Sequence, residues 1–291
     1  MSDTLYADLR PRAFAIAYRM LGSVAGAEDV VQEALLRLHQ AGDAVESPPA
    51  FVATVVTRLA IDELRSARAR RESYVGEWLP EPVLTAPGPG DRAESADSLS
   101  WAFLVLLESL TPQQRAAFLL REVFDYPYDE VAAFVGTDVD NARHLVARAH
   151  RHVKDGRPRF YATPAQRDEL GERFFAAMED GDLASLEALL AKDVALYADG
   201  GGKAPSPSRA VFGRERVLRT LAAGFTLSAG LSKRTEFVSV NGEPGALVRD
   251  LDGRLLAVLG IDVVDGQVAA IRSLVNPDKM HHLGPVGDLR L

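Results

Sequence analysis

Cysteine is absent from the 291 residues, which excludes disulfides, iron–sulfur clusters, thiolate zinc sites and a cysteine nucleophile together. Aromatic residues are sparse at 7 %, with only two tryptophans, so the setting of each Trp carries information. No run of about 18 apolar residues occurs, and Met1-Ser2-Asp3-Thr4 has no basic stretch leading into an apolar one; a cytoplasmic protein without a membrane segment is expected. Positive charge is also in short supply, with 33 Lys+Arg against 41 Asp+Glu and a net charge of −8. What remains is ordinary for a globular chain, 47 % hydrophobic and 25 % charged, with a length suited to about two domains.

The acidic total conceals a pattern. Residues 58–71 carry Arg58, Arg65, Arg68, Arg70 and Arg71 against Asp62 and Glu63. Residues 140–157 carry Arg143, Arg148, Arg151, Lys154 and Arg157 against Asp140 and Asp155. Between them, residues 72–108 hold seven acids and one arginine. Such runs are usually solvated faces, but two basic segments flanking an acidic one also suit two phosphate-contacting elements, because local charge matters more than the chain total.

Residues 5–71 read as helices. Val30, Val31, Ala34, Leu35 and Leu38 make one apolar face, and Glu28, Asp29, Gln32 and Glu33 the opposite one. Ser47-Pro48 opens a helix that runs through Phe51, Val52, Val55, Val56 and Leu59 into the arginines. Residues 76–98 are a Pro/Gly-rich acidic linker, and it contains the unusual string Trp78-Leu79-Pro80-Glu81-Pro82. A large aromatic in a stiff segment suits a docking peptide as well as a side chain folded onto its own domain. Residues 99–157 are helical again, with a capping box at Thr111-Pro112-Gln113-Gln114. A short helix closed by Gly136 and a longer one capped by Thr137 or Asp138 make a helix-turn-helix. Asn141, His144, Arg148 and Arg151 share one outward stripe of the second helix, with Arg143 beside it, a set suited to a major groove.

Beyond residue 163 a helix precedes strand-like segments at 195–198, 234–240, 246–249, 255–264 and 268–275. Asn241-Gly242, Asp252-Gly253 and Asp265-Gly266 connect them as hairpin turns. An α+β domain with an antiparallel sheet is expected. Asp199-Gly200-Gly201-Gly202-Lys203 is not a phosphate loop, because Tyr197 stands where the first glycine would be and Ala204 where a hydroxyl would hold magnesium. His281-His282 lacks companion ligands and reads as a solvated tail, so neither a metal nor a cofactor is implied. Asp199 and Asp262 could serve acid–base chemistry, but no partner that would position them is evident.

Taken together, residues 1–157 resemble an extracytoplasmic-function (ECF) sigma factor of bacterial RNA polymerase. The resemblance rests on Ala27-Glu28-Asp29-Val30-Val31-Gln32-Glu33-Ala34, on residues 56–65, on Leu110 to Glu122, and on the helix-turn-helix. The whole chain is similar to the subgroup with a fused C-terminal SnoaL-like domain of the nuclear-transport-factor-2-like superfamily. That subgroup is marked here by 78–82, by Asp199 to Lys203, and by Asn276-Pro277-Asp278-Lys279. The resemblance implies two all-α sigma domains followed by an α+β cone: region 2 at 1–75, the linker at 76–98, region 4 at 99–157, and the regulatory domain at 163–291. It further implies core RNA polymerase as partner of Asp29, Gln32 and Glu33. Promoter DNA would meet Arg58, Arg65, Arg68, Arg70 and Arg71 at the −10 element, and Asn141, Arg143, His144, Arg148 and Arg151 at the −35 element. The linker is expected to contact the C-terminal domain near Lys203 and Lys279, with Trp78 contributing most of the buried surface. Whether the pocket of that domain takes a small molecule is open at this point. The competing readings are a small-molecule enzyme and a ligand-gated repressor, each with a DNA-binding N-terminal half.

Overall fold

A computed structural model describes residues 3–71, 74–85, 98–156 and 163–289. The chain divides into two compact units, Met1–Ser73 with Asp97–Arg157, and Tyr74–Ala96 with Pro158–Leu291.

The first unit is helical. Helices α1 (Asp3–Leu21), α2 (Val24–Ala41) and α3 (Pro48–Arg71) pack on one another, burying Ile16, Ala17, Met20, Val31, Ala34, Leu38, Val56 and Ala60. The apolar face expected on α2 is the face that packs. Ser23 caps α2 by accepting the Gly26 N–H at 3.1 Å, and α3 begins at the expected proline. Helices α4 (Trp101–Leu107) and α5 (Pro112–Phe118) follow, with the Thr111/Gln114 capping box formed. A π-helical turn over Leu119–Val123 leads into α6 (Tyr128–Val135) and α7 (Val139–Gly156). Gly136, at φ +78°, supplies the left-handed turn between them, and Asp138 caps α7 by accepting the Asn141 N–H at 2.7 Å. Val131, Ala132, Val135, Ala142, Val146 and Ala149 fill the space between these two helices, completing a helix-turn-helix.

Buried arginines tie the helices of this unit together. Arg115, 3 % exposed, donates to the Leu107 carbonyl at 3.0 Å and the Met20 carbonyl at 2.7 Å, and pairs with Glu108 at 2.9 Å. Burial pushes its pKa down to about 9. Arg19 reaches Ser98 at 3.2 Å, and burial lowers its pKa to about 10.

In the second unit, β1 (Leu84–Thr85) precedes α8 (Pro164–Asp180), α9 (Leu183–Leu189), β2 (Leu190–Asp199), β3 (Val211–Phe212), α10 (Arg214–Ser228), β4 (Lys233–Val240), β5 (Glu243–Asp250), β6 (Leu255–Val264) and β7 (Gln267–Leu274). One sheet runs in the order β1-β4-β5-β6-β7-β2-β3. The meander β4 to β7 is antiparallel, as its turns suggested, and Asn241-Gly242 and Asp265-Gly266 both take the positive φ that such tight turns require. Strand β2, in contrast, lies parallel to β7. Helix α10 and the short strands β1 and β3 were not anticipated from the sequence. The core gathers Phe174, Phe175, Leu186, Leu196, Val217, Leu221, Leu259 and Ile271 between the helices and one face of the sheet.

Replacing Arg115 with Met leaves two buried carbonyls and the Glu108 carboxylate without their donor. The expected cost is about 2–4 kcal/mol to the helical unit, read as a lower urea midpoint in the helix-specific circular dichroism of the full chain.

Candidate functional site

The segment 74–85 is held inside the second unit, and Asp199 is the centre of its attachment. This aspartate ends β2 and is 0 % exposed. Its backbone carbonyl accepts the N–H groups of Val275 and Asn276, at 2.9 and 3.0 Å, which fixes the exit of β7 beside it. Its carboxylate accepts three donors: the Tyr74 hydroxyl, the Leu79 N–H at 2.9 Å and the Lys279 ammonium at 2.6 Å.

Lys279 is delivered by a 3₁₀ turn, Pro277–Lys279, that Asn276 caps by accepting the Asp278 N–H at 3.1 Å. The lysine is 8 % exposed. Beyond Asp199 it donates to the Leu79 carbonyl at 2.6 Å, so Leu79 has its N–H on the acid and its C=O on the base. The ammonium also lies 4.4 Å from the Trp78 ring centroid and 4.8 Å from that of Tyr74. Asn276 donates to the Tyr74 hydroxyl at 2.8 Å. Burial raises the Tyr74 pKa above its ordinary value, and the hydrogen bond to Asp199 raises it further.

The glycine loop has a steric role here. Gly201, at φ +57°, lies so close to Asn276 that a Cβ would fall 2.3 Å from its side-chain nitrogen, and a Cβ on Gly202 would meet Val75 at 3.3 Å. Lys203 pairs with Asp278, bracing the loop against the 3₁₀ turn. Thus Asp199 to Lys203, Asn276 to Lys279 and Trp78 to Pro82 converge on one place. Leu79, 2 % exposed, is buried outright, with Pro80 and Pro82 also buried, while Trp78 and Glu81 are partly buried.

Further along, Val83 exchanges hydrogen bonds with Asn241, at 2.8 and 3.0 Å, before β1 pairs with β4. Thr85 Oγ1 meets Ser239 Oγ at 2.7 Å. His282 Nε2 lies 2.7 Å from the Pro82 carbonyl, so this histidine, although exposed, takes part in the contact. Sequence reasoning missed Tyr74, Asn241 and His282. Asn241 was visible as a turn residue, but nothing in the turn signal announces that its side chain also serves another segment.

Of the acids considered for catalysis, Asp199 is fully engaged as described, and Asp262 pairs with Arg272. Among the described residues no cluster of three or more His, Asp or Glu could hold a metal, and no helix is long and apolar enough to cross a membrane.

In the first unit, Asn141, Arg143, His144, Arg148 and Arg151 are all exposed on α7. Asn141 bonds Thr137 at 2.7 Å and Arg143 pairs with Asp140 at 2.9 Å, while Arg148 and Arg151 form no ion pair among the described residues. On α2, Asp29 and Gln32 are exposed and Glu33 is half-buried, pairing with Arg37 at 2.7 Å. Leu36, 50 % exposed, extends that stripe by one turn. Arg58 donates to the carbonyls of Ala133 and Phe134 near the end of α6, at 2.9 and 3.4 Å, and Arg65 pairs with Asp62 at 3.1 Å. The side chains of Arg68, Arg70 and Arg71 lie outside the described residues.

Two family models match the helical unit: Sigma-70 region 2 over residues 5–70 and Sigma-70 region 4 over residues 100–153. The ECF RNA polymerase sigma factor SigJ of Mycobacterium tuberculosis is 41 % identical over 284 residues, covering 93 % of this chain and 90 % of the relative. This chain belongs to the ECF RNA polymerase sigma factors. The probable ECF sigma factor SigI of the same organism is 31 % identical, covering 92 % of this sigma factor and 91 % of its own length. The crystal structure of M. tuberculosis SigJ superimposes with a TM-score of 0.77 at 37 % identity, covering 96 % of this ECF sigma factor and 98 % of that chain. The likeness therefore spans the helical sigma regions and the C-terminal α+β unit of the sigma factor together.

Changing Asp199 to Asn leaves the Lys279 ammonium buried without its counter-charge. The attachment of 74–85 is expected to weaken by about 3–5 kcal/mol, read as lost hydrogen-exchange protection at the Leu79 and Val83 amides while the β5 and β6 amides keep theirs. The raised pKa of Tyr74 gives a second expectation. Stability from a group kept protonated in the fold is fully present below its unfolded value of about 10 and is lost as pH rises beyond it, so the same amides should lose protection above about pH 10.

Proposed function

We propose that this ECF sigma factor binds core RNA polymerase, directs it to promoters through its two sigma regions, and is regulated in cis by its C-terminal domain through the segment between them. It acts by binding and not as an enzyme, and it works in the cytoplasm. The division of labour is region 2 at 1–75, a linker at 76–98, region 4 at 99–157 and the regulatory domain at 163–291. On α2, Asp29, Gln32 and Glu33 face the polymerase, with Leu36 adding an apolar contact next to the charges. The −35 element is read by Asn141, Arg143, His144, Arg148 and Arg151 on the second helix of the helix-turn-helix, the −10 element by Arg58, Arg65, Arg68, Arg70 and Arg71.

The regulatory reading is carried by one observation: the Asp199–Lys279 pair closes on both backbone groups of Leu79. The chain between Arg71 and Ser98 has 26 residues, and 74–85 makes up 12 of them. Elements centred about 25 base pairs apart at 3.4 Å each are separated by roughly 85 Å. A packed unit of this size has a radius of gyration of about 14 Å and cannot touch both. Promoter binding thus requires α3 and α6 to part, breaking the Arg58 contacts, and requires the connecting chain to extend. Whatever holds 74–85 fixes the span and direction available to that connection.

Two outcomes test the assignment in transcription reconstituted with core polymerase and the full chain. Arg148→Ala and Arg151→Ala should each lower output from a −35-dependent promoter about 5- to 150-fold while core binding stays intact, since a base contact is worth about 1–3 kcal/mol. Glu33→Lys should reduce association with core polymerase at least tenfold with unchanged helix content by circular dichroism. Unaltered output from both arginine variants would refute the −35 assignment, and unaltered association would refute the docking face.

A further inference from the structure

The second unit contains a cavity that the sigma function does not use. It lies on the sheet face opposite Asp199, between the strands and helices α8 and α10, and has a volume of about 250 Å³. Its walls are apolar, with Phe175, Phe225, Leu196, Leu259 and Ile271 prominent among them. One cation, Lys233, stands in this lining with Ser228 and Thr235.

We propose that this cavity binds a small apolar monocarboxylate, its hydrocarbon body among the aromatic and aliphatic walls and its carboxylate on Lys233 and Ser228.

Three observations converge on that ligand class. First, Lys233 has no counter-ion: its ammonium donates to Ser228 Oγ at 2.7 Å and forms no ion pair among the described residues. Glu179 also borders the cavity from α8, but it is exposed and sits on the solvent rim. Asp250 stands opposite Lys233 in register but is taken by Arg254, so the partly desolvated ammonium is left to pair with a bound carboxylate. Burial lowers the lysine pKa, which is consistent with that unmet need. Second, the lining sets Lys233, Ser228 and Thr235 against a largely hydrocarbon surround, with further hydroxyls at Ser206, Thr220 and Ser273, a combination that suits an amphiphile. Third, Gly224 interrupts α10 at the cavity. A glycine weakens a helix interior, and it is usually justified by close packing, yet a Cβ built here meets nothing within 4 Å. Gly224 is exposed at the edge of the cavity, and the missing side chain leaves that edge unobstructed.

The cavity volume suits a short-chain amphiphile and falls slightly below the ~300–1,000 Å³ typical of drug-sized ligands. This inference is independent of the promoter and linker assignments and stands or falls on binding alone.

Isothermal titration of the full chain with octanoate, and separately with octan-1-ol, tests it. Octanoate should bind at one site. Lys233→Met should weaken octanoate at least tenfold and octan-1-ol less than twofold, and Lys233→Arg should retain most of the octanoate affinity. Gly224→Leu, which obstructs the open edge of the cavity and favours the helix, should weaken both at least tenfold without lowering the melting temperature. The proposal is overturned by no saturable octanoate binding to the wild-type chain, by equal losses of acid and alcohol in Lys233→Met, or by undiminished binding in Gly224→Leu.

Discussion

A buried ion pair organises the C-terminal unit of this molecule. Removing a carboxylate and an ammonium from water costs several kcal/mol each, and their attraction offsets this only when the remaining hydrogen-bonding capacity is filled. At Asp199 and Lys279 the filling is done by another segment: the Leu79 N–H and C=O, the Tyr74 hydroxyl and the aromatic faces of Tyr74 and Trp78. If the 74–85 segment leaves, both charges lose the hydrogen bonds and ring faces that fill their remaining capacity. The pair is therefore a weak contributor to stability in isolation and a strong reason for that segment to stay. It also joins three short strings far apart in the chain, since each supplies part of one polar cluster.

Much of this was legible in the sequence because local chemistry carried it. The proline start of α3, the Thr111 capping box, the Gly136 turn and the Asn241-Gly242 and Asp265-Gly266 hairpins all rest on a few adjacent residues, and all formed. What escaped depended on distant partners. Strand β2 pairs in parallel with β7 about 70 residues later, and no local pattern encodes parallel pairing. Helix α10 starts at Gly213, which offers no side-chain cap, and it carries a glycine in its interior, so its boundaries were hidden although Val217, Leu221 and Phe225 keep helical spacing. The two-residue strands β1 and β3 are too short for alternation to show. At the candidate site the three motif strings were readable, whereas Tyr74, Asn241 and His282 are common residues given a role only by what lies opposite them.

The helical unit shows a similar division of labour between burial and display. Arg115 and Arg19 are consumed by internal carbonyls and a hydroxyl, while Arg148 and Arg151 stand in solvent. Arg58 is intermediate: it is exposed, yet its guanidinium sits on the carbonyls of Ala133 and Phe134, where a helix end offers unsatisfied acceptors. A contact made at a helix terminus through an exposed side chain is cheap to form and cheap to break, which suits two regions that must pack in one state and separate in another.

Strand β7 is read on both sides. Ile271 and Ser273 line the cavity, whereas Arg272 pairs with Asp262 and Leu274 lies level with Asp199 in the neighbouring strand. Side chains alternate with a period of two, and the register against β6 slips by one residue between Val268 and Ala270, so the alternation that separates the two faces runs from Ala270 to Leu274. Gain or loss of one residue within that run would exchange the faces there and turn Ile271 and Ser273 away from the cavity, whereas the slip beside Val268 marks where the strand already absorbs an extra residue.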